Sequence, residues 1–177
     1  AFSSNANYYL GSIAFSKKEY DEALQRFKSV IESGDTKFLE ESVARTAEMQ
    51  YLTQDFPAAL ESFKRLQIIA ENPENKQAAR LGIMRCALQT GQQEEAQLAA
   101  NELLKDPKLS PEVEAEARYI RAKAYIDHKQ PAKAVEDLTI LSKDTRTVHG
   151  AEAKYLLAQY FYDTNDDKNA EKILEDF

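Results

Sequence analysis

An all-α solenoid of about five helix-turn-helix repeats is the fold class this sequence predicts, and three observations predict it. The stretch Glu19–Val30, Glu-Tyr-Asp-Glu-Ala-Leu-Gln-Arg-Phe-Lys-Ser-Val, recurs as Asp55–Leu66 and, more weakly, as Gln92–Leu103, Gln130–Leu141 and Asp166–Phe177. One alanine marks the same point of every copy (Ala23, Ala59, Ala96, Ala134, Ala170), at intervals of 36, 37, 38 and 36 residues. A fixed period in this range is the signature of stacked helical units, each burying its apolar face only against its neighbours. Glycine and proline are also scarce, at five each, and few breakers favour helix throughout.

Each unit reads as two antiparallel helices, A then B. The first A helix is expected over 4–17, with Tyr8, Leu10, Ile13, Ala14 and Phe15 out of step with a strand's alternation. Gly11 in its middle costs about 1 kcal/mol relative to Ala, which close approach of the partner helix would offset. The B helix over 21–33 places Ala23, Leu24, Phe27 and Val30/Ile31 on one face, and Gly34 is its expected stop. The second pair is expected over 37–52, capped by Thr36 or Asp35, and over 56–71, with Pro57 in the first turn. Asn72-Pro73-Glu74 has the grammar of a helix start: a capping side chain, a proline at the first position and an acid facing the helix dipole. It opens a helix over 73–89 that Thr90-Gly91 ends, followed by one over 92–104. Ser110-Pro111-Glu112 repeats the same grammar for 111–128. The remaining helices follow Gln130-Pro131 to about Ser142, then span 150–162, and run from Asp166 to the end, with Asp144–Val148 a polar loop. The whole chain, 1–177, reads as one array with units near 4–37, 40–73, 77–110, 115–148 and 151–177. Its last unit stops inside a helix, so the chain reads as a fragment of a longer protein.

Composition narrows the function classes. A net charge of −7 makes a poor partner for nucleic acid, whose binding rests on neutralising phosphates with Lys and Arg. No apolar run is long enough to span a membrane. The single cysteine, Cys86, excludes an internal disulfide, and with Leu81, Ile83 and Leu88 nearby in sequence it reads as core packing. His128 and His149 stand 21 residues apart, at a helix end and in a loop, which is not the spacing of a helical metal site; both read as solvated. The isolated glycines form no phosphate-binding loop. The carboxylate pairs Glu40-Glu41, Glu94-Glu95 and Asp166-Asp167, with Glu112, Glu114 and Glu116, sit mostly at helix starts, where they complement the dipole. No catalytic constellation, metal site or cofactor is indicated.

These residues carry a resemblance. The chain resembles the tetratricopeptide repeat (TPR) family, a right-handed superhelix of helix pairs. That family places a small residue mid-helix A, matched by Gly11, Ala47, Ala122 and Ala158. It places an aromatic at the A–B turn, a small residue three on and a bulky one four further, matched by Tyr20/Ala23/Phe27 and Phe56/Ala59/Phe63. The third unit departs from the pattern with Met84, Gln93 and Ala100, and Pro131 and Asp167 replace the turn aromatic elsewhere. Ala153–Tyr160 is similar to multi-repeat TPR proteins of the bacterial cell envelope, of a Bacteroides-like kind. That likeness implies an envelope location, periplasmic or outer-membrane associated, with the cytoplasm as the alternative.

The resemblance implies a non-catalytic scaffold that binds a protein or peptide in a concave groove lined by the A helices. Carried over position by position, the groove residues are Tyr8, Ser12 and Phe15; Glu48 and Tyr51, with Ala44; Arg85, with Leu81 and Leu88; Tyr119 and Lys123, with Ile126; and Tyr155, Gln159 and Tyr162. Tyrosine suits such a surface because its ring is apolar and its tip polar. Packing between repeats is the alternative role of the same tyrosines. Tyr8/Ser12, Ala44/Glu48 and Leu81/Arg85 do not reproduce the Lys/Asn clamp of modules that grip chaperone tails. The rival reading is a structural spacer or self-association segment of a large repeat protein.

Overall fold

The computed structural model describes residues 3–175. Among them are ten α-helices and one 3-10 turn, without a strand: α1 (Ser4–Ser16), α2 (Tyr20–Ser33), α3 (Thr36–Leu52), α4 (Phe56–Ile69), α5 (Pro73–Gln89), α6 (Gln93–Leu103), α7 (Pro111–Asp127), the 3-10 turn Pro131–Ala134, α8 (Val135–Leu141), α9 (Val148–Asp163) and α10 (Asp167–Glu175). The expected termini, Ala1-Phe2 and Asp176-Phe177, lie outside the described residues. The architecture is an all-α helical-repeat solenoid.

Local chemistry sets the helix starts. Asp35, Asn72 and Ser110 each accept from a backbone N–H of the first turn that follows, satisfying donors that the helix itself cannot. Every A–B turn uses one device. Lys18, Gln54, Gly91, Lys129 and Asn165 take positive φ values of 63°, 63°, 75°, 59° and 59°. The next N–H in each turn reaches back to a helix carbonyl: Glu19 to Ala14, Asp55 to Gln50, Gln92 to Ala87, Gln130 to Tyr125 and Asp166 to Phe161, all at 2.8–2.9 Å. This six-to-one bond is the Schellman cap. Only the third turn uses glycine; the other four hold a side-chain-bearing residue in the left-handed region at a cost of about 1–2 kcal/mol.

The helices group into two compact units, 1–92 and 93–177. The division falls inside the unit expected over 77–110, the one with the weakest consensus.

In the first unit α1 lies close on α2. A Cβ on Gly11 would stand 3.1 Å from Arg26 Cβ and from Phe27 Cε1, which is the close approach that offsets the glycine. Ala14, Ala23, Phe27 and Met49 form a core cluster, with Tyr8, Phe15, Tyr20 and Leu24 packed against it. Leu24 is thus at the margin of the core, not inside it as its phase predicts. Gly82 of α5 rides directly on the Phe63 ring of α4.

In the second unit Ala122, Ala134, Leu138, Leu141, Ala153 and Leu157 make the core. The expected B helix from Gln130-Pro131 to Ser142 forms as a 3-10 turn and then a seven-residue α8. Pro131 occupies the first position, where its fixed φ is tolerated, and the turn after it is tightened. Asp137 of α8 is 1% exposed. Two arginines of α7 hold it: Arg118 Nη1 at 2.9 Å, Arg121 Nε at 2.7 Å and Arg121 Nη2 at 2.7 Å. A Cβ on Gly150 would collide with the Asp144 carbonyl, so α9 enters beneath that loop only because residue 150 is glycine.

Candidate partner-binding site

A cleft of about 590 Å3 opens between α3 and α5. Helical spacing builds its walls, since residues three and four apart share a face. Glu41, Ala44, Arg45, Glu48 and Tyr51 line one wall; Asn75, Ala78, Leu81 and Arg85 line the other. Phe63 and Leu66 of α4 form an apolar floor between them. With no side chain, Gly82 lets that floor meet α5 directly.

Glu40 ties the two walls together. It projects from α3 and accepts from the backbone N–H groups of Glu71 and Asn72, at 3.0 and 3.2 Å, and from Asn75 Nδ2 at 2.8 Å. It therefore caps the start of α5 from the neighbouring repeat. Burial pushes its carboxyl pKa up, but these hydrogen bonds and nearby Lys76 outweigh burial and leave it below the usual value. Glu40 was expected to serve its own helix dipole; it serves that of α5.

Charge on the α3 wall is organised around Arg45. Its guanidinium meets Glu41 Oε1 at 2.9 Å and Glu48 Oε2 at 3.0 Å, and lies 5.0 Å from the centre of the Phe15 ring. Such half-exposed pairs contribute little to stability, but they hold three long side chains in one orientation. Tyr51 is set edge-on against Phe56, ring centres 5.6 Å apart.

Three of the expected groove residues, Glu48, Tyr51 and Arg85, meet in this cleft, together with Ala44 and Leu81. The α1 residues are placed differently. Tyr8 stacks on Phe38 at 4.4 Å, and its hydroxyl pKa is raised, chiefly by burial. The Ser12 hydroxyl donates to the Tyr8 carbonyl of its own helix at 2.9 Å. Phe15 lies beneath Arg45 and beside Tyr20.

In the second unit Tyr119 stacks on His149, ring centres 4.5 Å apart. Its hydroxyl pKa is pushed well above the ordinary tyrosine value by burial and then by its bond to Glu152. Lys123 Nζ lies 3.8 Å from the same Glu152. Tyr155, Gln159 and Tyr162 share one exposed face of α9, the two tyrosines 58% and 69% exposed. His149 is a correction to the sequence reading. It lies in the first turn of α9, half-buried against Tyr119, rather than solvated in a loop. His128 is exposed at the end of α7.

Cys86 is buried, and burial pushes its thiol up to about 11, which keeps it protonated and unreactive. Among the described residues no group of three or more His, Cys, Asp or Glu side chains could hold a metal ion. No helix there is long and apolar enough to cross a membrane.

Sequence reasoning missed Glu40, Gly82 and Asp137. The last two left a signal. Gly82 is a mid-helix glycine, and Asp137 sits on the same helical face as Ala134, Leu138 and Leu141, with arginines at 118 and 121 on the preceding helix.

Solved structures share this architecture. A MamA protein superposes with a TM-score of 0.71 at 14% identity, over 97% of this chain and 88% of its own. The fold is that of a TPR solenoid. MamA from Desulfovibrio magneticus gives 0.69 at 15% identity, over 98% and 92% of the two chains. A tetratricopeptide repeat protein from Parabacteroides merdae gives 0.69 at 16% identity, over 97% of this chain and 64% of its own. No protein-family model matches the chain, and a search of curated proteins finds no match.

Proposed function

We propose that this TPR chain is a non-catalytic scaffold that binds a segment of a partner protein on its A helices, with the α3–α5 cleft as the main seat. One observation carries the reading: Glu48, Tyr51 and Arg85 come from two different repeats and face a single cleft with an apolar floor. An apolar floor with a few placed polar groups is the usual form of a recognition site. Arg85 supplies a guanidinium for a partner carboxylate, and Tyr51 a flat apolar face with a polar tip. On α9, Tyr155, Gln159 and Tyr162 offer a second contact strip of the same chemical character. In this reading Tyr8 and Phe15 steady α3 through Phe38 and Arg45, while Ser12 bonds within α1.

The test is capture of partners from the source organism by the parent chain and by Arg85→Glu and Lys123→Glu variants, with binding then measured for each captured protein. Reversal of Arg85 should weaken binding by tenfold or more, about 1.4 kcal/mol. Lys123 shares Glu152 with Tyr119, so its reversal should weaken a partner that reaches the second unit. Unchanged binding by both variants would refute the cleft assignment. The Ala153–Tyr160 motif further suggests an envelope protein of a Bacteroides-like bacterium. Fractionation of the source cells checks this, and recovery solely in the cytosolic fraction would exclude it.

A further inference from the structure

A second cleft, of about 460 Å3, opens on the opposite face of α3, between α2 and α4. Val43 lies at its base, and Leu24 and Ile31 supply apolar walls from α2. Val43, Thr46 and Gln50 recur at i, i+3 and i+7, a face of α3 turned away from the one that carries Glu41, Ala44 and Glu48. This surface is therefore distinct from the α3–α5 cleft. One end is closed by a hydrogen bond from Ser62 Oγ to Gln50 Oε1 at 2.6 Å.

The rim is cationic, against the balance of the chain. Lys28 stands on the α2 side and Arg65 on the α4 side, with Glu32 the only carboxylate in the lining. Lys28 reaches Glu32 only at 3.7 Å, with both side chains largely exposed, a pair that contributes little. Arg65 is exposed and makes no ion pair or hydrogen bond with the described residues. In a chain of net charge −7, two cations on facing walls of an apolar trough are a local reversal of sign.

We infer that this cleft docks an acidic amphipathic helix of a partner protein. The trough runs between two helices over a third, the form into which a further helix packs its ridges. An aliphatic stripe on that helix would cover Leu24 and Ile31, which are partly exposed above the buried Val43. Carboxylates flanking the stripe would meet Arg65 on one side and Lys28 on the other. Arginine's planar fork favours a bidentate carboxylate.

The test uses the full chain and a defined probe: a fluorescein-labelled helical peptide of leucines at i, i+3, i+4 and i+7 with glutamates elsewhere, titrated by fluorescence anisotropy. Its control is the same peptide with lysine at every glutamate position. The acidic peptide should bind, the lysine peptide at least about tenfold more weakly, and affinity should fall as salt rises. A Lys28→Glu/Arg65→Glu double variant, checked by circular dichroism for unchanged helix content, should lower acidic-peptide affinity by about tenfold or more. The proposal is overturned by no binding of the acidic peptide, by equal binding of both peptides, or by loss of binding on Arg85→Glu with retention by the double variant. The last would place the peptide in the α3–α5 cleft. Concentration-dependent dimerisation abolished by the double variant would assign the trough to a second copy of this chain and overturn it equally.

Discussion

A methyl group added at Gly82 tests how tightly α5 is held against the cleft floor. Gly82→Ala would set a Cβ less than 3.0 Å from Cδ2, Cγ and Cδ1 of Phe63. These are the ring carbons nearest the Phe63 backbone, so rotating the ring about its own axis does not carry Cγ away. Either the helices separate or Phe63 leaves a site where it is only 8% exposed. Overpacking of this kind costs about 1–3 kcal/mol. Replacing a mid-helix glycine by alanine returns about 1 kcal/mol. Because three ring carbons are struck at once, the upper half of the cost applies, and the net loss is about 1–2 kcal/mol. In a cooperative unit of 60–100 residues each kcal/mol lowers Tm by about 4–8 °C. Gly11→Ala is the internal comparison. Its Cβ would stand 3.1 and 3.2 Å from the outer ring edge of Phe27 and 3.1 Å from Arg26 Cβ, so cost and propensity gain nearly cancel, within about 0.5 kcal/mol. Urea unfolding followed by circular dichroism measures both. The reasoning is refuted if Gly82→Ala is as stable as the parent, or if Gly11→Ala loses more than Gly82→Ala.

Asp137→Ala should destabilise the second unit by about 3 kcal/mol, because it leaves Arg121 partly buried without its carboxylate while Arg118 retains Glu114 at 2.8 Å; a loss below about 1 kcal/mol in denaturant melts would show that solvent reaches Arg121. Glu40→Ala should cost about 1–2 kcal/mol at neutral pH by leaving the Glu71 and Asn72 N–H groups at the start of α5 without their acceptor. The Glu40 pKa is lower folded than unfolded. Its contribution is therefore present above the unfolded carboxyl value and lost as pH falls through the folded one. The stability gap between parent and Glu40→Ala should shrink on acidification, and a gap that widens at low pH would contradict the capping role.

Much of the fold was legible because it is local. The period of the alanines, the caps at Asp35, Asn72 and Ser110 and the stop at Gly91 are short-range chemistry, and the structure has them where the residues place them. The weaker B helix after Pro131 was legible as a helix but not as a 3-10 turn, since that choice depends on how its first turn packs against α7. Of the candidate site, spacing along a helix brought out Glu48, Tyr51 and Arg85 because it places residues on a face. It does not say what the face meets. Tyr8 and Tyr119 have the same spacing and the same chemistry as Tyr155, yet the first two are stacked on Phe38 and His149.

The sequence by itself determined the class of fold and the positions of the helices, because periodicity and capping act within a few residues. Tertiary structure alone decided which carboxylate caps a neighbouring helix, which glycine admits a phenylalanine ring and which aspartate is buried between two arginines. These depend on side chains from separate helices arriving at one point. Glu40 and Asn72 are distant in the chain and meet only once α3 and α5 are packed.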